Sequence, residues 1–119
     1  MIDDNQTHRK LVREVLRAAG NRVRDAETGE NALNTIKLEK PEVILLDLAL
    51  PGMDGLTLVR ELKAEPETRD IAVVAVTSYT DRFTKENALD AGCEAYLAKP
   101  INTRTLPELV RELSSKRRF

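Results

Sequence analysis

Tryptophan is absent from this chain, and only two tyrosines and two phenylalanines stand among its 119 residues. Single-stranded nucleic acid is usually held by bases stacked on aromatic rings, so a chain this poor in rings offers no such platform. Charge of one sign is missing too: 19 basic and 20 acidic residues leave a formal net charge of −1. No global field therefore draws the chain to nucleic acid or to an anionic membrane surface. Cys93 is the one cysteine, which excludes an internal disulfide and makes a reducing compartment the simplest setting. No run approaches the roughly 18 apolar residues of a membrane helix, and Met1-Ile2 lead straight into acids without a signal-peptide pattern. The expectation is a cytoplasmic protein with no nucleic-acid and no membrane partner. Repeats, low-complexity tracts and linkers are also lacking. The length suits one domain over residues 1–119 and leaves no room for a separate output domain.

What is present is an alternation of helical and strand-like segments. Leu11, Val12, Val15, Leu16 and Ala19 recur at helical spacing from Thr7 to Ala19, and Gly20-Asn21 supplies the stop. Arg22 to Ala26 alternates as an edge strand would, and Ala32, Leu33, Ile36 and Leu38 form a second helical stripe ended by Pro41. Val43-Ile44-Leu45-Leu46 is continuous and apolar, as a parallel strand covered on both faces should be. Leu56, Val59 and Leu62 make a third helix, Ile71 to Thr77 a second apolar strand, and Asp81 to Ala91 a fourth helix ended by Gly92. Ala95 to Ala98 reads as a short strand and Thr103 to about Ser115 as a last helix, with Pro107 acceptable only near its first turn. This order predicts an α/β fold, a doubly wound parallel sheet with helices on both faces. The basic end Lys116-Arg117-Arg118 is expected to be a solvated tail.

In such a sheet the carboxyl ends of the strands share one edge, where ligands bind at the topological switch point. Asp47 closes the central apolar strand. By itself it reads equally well as a turn former or a helix cap. The other strand ends add Asp3-Asp4, Thr77-Ser78 and Lys99-Pro100 at the same edge. Three crowded carboxylates repel one another and require a counter-ion, and hard oxygen ligands with an open side suit Mg²⁺ or Mn²⁺. Beside such an ion and Lys99, a carboxylate has the setting in which to attack phosphorus. Proline after Lys99 makes a cis peptide bond plausible there. His8 lies in the first helical turn with no second His or Cys near it, so a surface role is expected. Cys93 beside Gly92 is expected to be a small buried residue.

Asp3-Asp4-Asn5, the stretch Asp47 to Gly55 with Leu50-Pro51-Gly52-Met53-Asp54-Gly55, Thr77-Ser78, Ala91-Gly92 and Tyr96-Leu97-Ala98-Lys99-Pro100 stand here in order. Over nearly its whole length the chain thus resembles a response-regulator receiver domain of two-component signalling. The resemblance implies a flavodoxin-like five-stranded sheet of order 2-1-3-4-5 with five helices. It implies Asp47 as phosphoacceptor, with Asp4 and Asp47 binding Mg²⁺ directly, Asp3 acting mainly through water and the Ala49 carbonyl completing the set. Lys99 would pair with the phosphoryl group, Thr77 would turn inward to hydrogen-bond it, and Tyr96 would change rotamer as the switch. A histidine kinase or phosphotransfer protein would be the donor. The face of the fourth helix, fifth strand and fifth helix would meet a downstream protein target, in a monomer or weak dimer.

Two departures accompany the resemblance. The family has a whole apolar strand before its acid pair, roughly five residues, whereas only Met1-Ile2 precede Asp3. This reads as omitted residues or a truncated form, natural or engineered. The second and third strands would then lack a shared neighbour and leave backbone groups unpaired. Ala49 and Tyr79, two residues beyond Asp47 and Thr77, would line the path of the hydrolytic water and slow self-dephosphorylation. A stand-alone receiver is the leading reading, and a receiver fragment of a larger regulator or hybrid kinase is its alternative. An Mg²⁺-dependent phosphohydrolase of the haloacid-dehalogenase type also uses a strand-end Asp, but its usual second Asp would fall at Ala49. A flavodoxin-like binding module lacks its glycine- or Ser/Thr-rich phosphate loop here.

Overall fold

The apolar runs become the sheet. In the computed structural model, which describes residues 1–116, Val43–Asp47 is strand β1, Ala72–Thr77 is β4 and Ala95–Ala98 is β5, in the parallel order β1-β4-β5. The register runs from Val43 opposite Ala72 to Asp47 opposite Val76, and from Val74 opposite Ala95 to Thr77 opposite Ala98. Asp47 and Thr77 therefore end their strands at the same edge. A short antiparallel ribbon, β2 (Ala49–Leu50) with β3 (Met53–Asp54), follows β1.

The missing strand is replaced by a single residue. Ile2 forms parallel bridges to both Ala26 and Leu46. The Ile2 N–H donates to the Leu45 carbonyl at 2.8 Å, and the Ile2 carbonyl accepts from Asp47 N–H at 2.8 Å. On the other side Asp3 N–H donates to Ala26 O at 3.0 Å, and Ala26 N–H to Met1 O at 2.9 Å. The order Ala26, Ile2, β1, β4, β5 reproduces the predicted 2-1-3-4-5 sequence. At the site end, then, the expectation of two strands without a shared neighbour is corrected: Met1–Asp3 fills the gap. Arg22 to Ala26, predicted as an edge strand, is bridged only at Ala26, where its partner is the single residue Ile2.

Five helices cover the sheet: α1 (Gln6–Ala18), α2 (Gly29–Leu38), α3 (Gly55–Ala64), α4 (Lys85–Ala91) and α5 (Leu106–Ser115). Four begin with a side-chain cap that satisfies a free N–H: Asn5 to His8, Thr28 to Asn31, Asp54 to Leu56 and Thr84 to Asn87. The Thr84 cap starts α4 four residues later than the periodicity predicts. Tyr79 O accepts from Arg82 and Phe83 N–H and holds the preceding segment as a turn. The last helix also starts late, since Asn102 takes the Arg104 N–H with its side chain and the Leu106 N–H with its carbonyl.

Strand alternation divides the core. Ile44, Leu46, Val73 and Ala75 pack with Ala32, Ile36, Val59, Leu62 and Ala88 from α2, α3 and α4. Leu45, Ala72 and Val74 face the other way, against Val12 and Leu16 of α1 and Leu106, Val110 and Leu113 of α5. Both faces are covered, which is why these strands read as unbroken apolar runs. Each buried valine, leucine or isoleucine among them contributes about 1.5–3 kcal/mol. Three members of the predicted stripes are exposed: Leu11 at 46%, Leu38 at 87% as the last residue of α2, and Ala19 as the C-cap of α1. Cys93 is buried as expected, and burial, reinforced by Glu94, pushes its thiol up to about 11. Arg117 and Arg118 of the expected tail lie outside the described residues.

One glycine matters to the site by its lack of a side chain. A Cβ on Gly55 would stand 2.6 Å from Leu48 Cα and 2.9 Å from Leu48 O. The start of α3 thus lies directly on the backbone that follows Asp47, joined by a Gly55 N–H to Leu48 O bond of 3.0 Å.

Candidate functional site

Asp3, Asp4 and Asp47 converge at the carboxyl edge of the sheet, where one carboxylate oxygen of each lies within 4.8 Å of the others. Asp3 is fully buried, Asp47 is 5% exposed, and Asp4 faces solvent. Lys99 binds two of them together: its Nζ lies 3.0 Å from Asp3 Oδ2 and 3.0 Å from Asp47 Oδ2. The lysine reaches this position from the end of β5, where its N–H donates to the Thr77 carbonyl at 2.9 Å and the Lys99–Pro100 peptide bond is cis, as the sequence suggested.

The backbone completes each carboxylate's partners. Asn5 N–H donates to Asp3 Oδ1 at 2.9 Å and Ala49 N–H donates to Asp47 Oδ1 at 3.0 Å. Burial pushes the Asp3 carboxyl up, but the Asn5 N–H, Lys99 and His8 outweigh it and hold the group below its ordinary value. Burial likewise opposes the charge on Lys99, while Asp47 and Asp3 outweigh that and raise it above the usual lysine range. Both groups are thereby kept ionised at neutral pH.

Thr77 is fully buried, and its Oγ1 accepts the Tyr79 N–H at 2.9 Å. The hydroxyl keeps its own proton for another acceptor. Tyr96 is half-buried, and its hydroxyl donates to the Phe83 carbonyl at 2.5 Å. Because Phe83 N–H in turn donates to Tyr79 O at 2.8 Å, hydrogen bonds run from Thr77 through Tyr79 and Phe83 to Tyr96. A cleft of about 500 Å³ is lined by residues 48–54 with Tyr79 and Arg82, so Ala49 and Tyr79 do share one surface.

His8 departs from its expected surface role. Its Nδ1 lies 2.5 Å from Asp3 Oδ2, and its side chain is only 15% exposed. Arg9 NH1 donates to the Asp3 carbonyl at 2.8 Å. One signal for this was present in the sequence: with Asn5 as the cap of α1, His8 is the third helical residue, the position whose side chain characteristically reaches back to the helix start.

The described geometry, with a parallel sheet, an edge acid triad and a lysine from the last strand, has a family match. The response regulator receiver domain family matches residues 1–111, and the chain belongs to it. Among curated relatives it is 33% identical over 111 residues to the polar-differentiation response regulator DivK of Brucella anthropi, covering 93% of this chain and 90% of that protein. Among solved structures it resembles the CheY-like receiver domain protein of Methanospirillum hungatei JF-1, with a TM-score of 0.85, 29% identity, and 97% and 90% of the two chains covered. It also resembles the receiver domain of a sensor histidine kinase from Pseudomonas aeruginosa PAO1, with a TM-score of 0.85, 29% identity, and 96% and 93% covered. That structure has a magnesium ion coordinated in its active-site cleft. The acid set here fits such an ion: three hard oxygen donors are gathered with one of them open to water. No helix among the described residues is long and apolar enough to cross a membrane.

Proposed function

We propose that this chain is a phosphorylation-controlled switch in which Asp47 accepts a phosphoryl group from a histidine kinase or phosphotransfer protein. One observation carries this reading: Lys99 Nζ stands 3.0 Å from Asp47 Oδ2 and 3.0 Å from Asp3 Oδ2, a cation held directly beside the nucleophile. An Asp47 oxygen forms the new O–P bond as the N–P bond of a phosphohistidine breaks, and the bonding pair departs with the imidazole nitrogen. Lys99 opposes the charge on the transferring oxygens. Asp3, Asp4, Asp47 and the Ala49 carbonyl would hold Mg²⁺ or Mn²⁺, which supplies further charge neutralisation at those oxygens.

The switch follows from charge. An aspartyl phosphate carries about two negative charges on its phosphoryl oxygens, and Thr77 gains a partner by donating its hydroxyl proton to the new group. Tyr79 N–H is bound to that same hydroxyl, so its segment follows, together with Phe83 and the Tyr96 hydroxyl beyond it. Tyr96 turning inward alters the surface of α4, β5 and α5, where a downstream protein target binds. The population shifts because only one state makes the Thr77 contact. The setting is the cytoplasm, and residues 1–119 act as one receiver domain, a signalling module and not an enzyme.

Phosphotransfer from a panel of autophosphorylated histidine kinases, with Mg²⁺ and with EDTA, tests the reading. Transfer that needs both the divalent ion and Asp47 supports it. Equal transfer in EDTA, or to Asp47→Asn, refutes it.

A further inference from the structure

We infer that His8 is a positioning residue of the acid site, fixing the Asp3 carboxylate from the first turn of α1 so that Asp3 can serve the bound ion. The inference rests on the metal role proposed above. Ile2 fixes the backbone before Asp3 through its bridges to Ala26 and Leu46. The helix that follows fixes the side chain. Asn5 N–H holds Oδ1 at 2.9 Å, Arg9 holds the main-chain carbonyl at 2.8 Å, and His8 Nδ1 meets Oδ2 at 2.5 Å. Two facing lone pairs would repel, so the ring carries its proton on Nδ1 and donates it to the carboxylate.

Oδ2 of Asp3 has a second partner in Lys99 at 3.0 Å, and this is the partner that the phosphoryl group draws on. A fully buried carboxylate oxygen stripped of its donors is costly. His8 keeps that oxygen satisfied while Lys99 turns toward Asp47. It is well placed to do so, because its side chain is 15% exposed and its helix is anchored through Val12 and Leu16 in the core. Such outer partners commonly change metal affinity by about 10–100-fold when removed, because they fix the ligand's orientation.

Mn²⁺ titrations followed by electron paramagnetic resonance, which read binding and not phosphorylation, separate this role from simple packing. His8→Phe keeps a ring of similar size without the donor, whereas His8→Asn places an amide N–H where Nδ1 stood. The expected result is at least about tenfold weaker Mn²⁺ binding by His8→Phe and recovery toward wild-type affinity in His8→Asn. Thermal unfolding of the ion-free proteins shows that each variant is folded. If His8→Phe does not fold, His8→Ala against His8→Asn makes the same comparison. Unchanged affinity without the donor, or an Asn variant as weak as the donorless one, overturns the inference while leaving the metal site standing. A wild-type protein that binds no Mn²⁺ overturns the metal reading and this inference with it.

Discussion

Replacing Lys99 with methionine should weaken the ion-free fold and make the protein depend more on divalent ions. Lys99 Nζ lies 3.0 Å from one oxygen of Asp3 and 3.0 Å from one of Asp47. At an effective dielectric constant near 20, each contact is a gross attraction of about 5 kcal/mol. Much of it is offset by removing the ions from water, and breaking a buried pair typically costs about 3–5 kcal/mol. The lysine side chain is still 18% exposed, which places the loss at the lower end, about 3 kcal/mol. For a domain of this size that lowers the midpoint of thermal unfolding by about 10 °C. Without the lysine, three carboxylates whose oxygens lie within 4.8 Å lose the cation that bridges two of them. Mg²⁺ should therefore stabilise Lys99→Met by more than it stabilises the wild type. Urea unfolding in EDTA and in saturating Mg²⁺ reads both effects, with an unchanged m-value showing that the same structure unfolds. A variant as stable as wild type in EDTA, or one that gains no more from Mg²⁺, refutes the electrostatic account.

Other perturbations test separate links. Gly55→Ala puts a Cβ 2.6 Å from Leu48 Cα, a backbone clash that should cost about 1–3 kcal/mol and slow phosphotransfer by displacing the segment after Asp47; unchanged urea unfolding would contradict it. Tyr96→Phe removes the hydrogen bond to the Phe83 carbonyl, worth about 0.5–1.5 kcal/mol, and should alter target binding more than labelling of Asp47. Equal loss of both would place Tyr96 in the acceptor chemistry instead. Because the folded Asp3 carboxyl is held below its ordinary value, its contribution is present above about pH 3.9 and disappears as pH falls through the folded value. Asp3→Asn should accordingly flatten the acid side of the stability profile in ion-free buffer; an acid side as steep as wild type would show that Asp3 contributes nothing there.

The site was legible because its parts end strands. Unbroken apolar runs announced parallel strands, and parallel strands bring Asp47, Thr77 and Lys99 to one edge whatever the helices do. Asp3-Asp4 was legible for the same reason, though its strand is scarcely there. What escaped is what depends on backbone partners. No sequence signal marks the Phe83 carbonyl as the acceptor of Tyr96, or Tyr79 O as the hub that delays α4 to Lys85. Arg22 to Asp25 alternated correctly yet found no ladder, since strand pairing needs a partner that composition cannot supply. For His8 the lack of a second His or Cys nearby in sequence is uninformative, because its place in the first turn of α1 sets it against Asp3.

Mapping of the phosphoryl group bears most directly on the central claim. After labelling with acetyl phosphate and Mg²⁺, borohydride reduction converts an aspartyl phosphate to homoserine, which peptide mass spectrometry locates. The account predicts homoserine at position 47 and none in Asp47→Asn. Reduction at Asp3, Asp4 or Asp54 of the wild-type protein, or labelling that survives in Asp47→Asn, would contradict it.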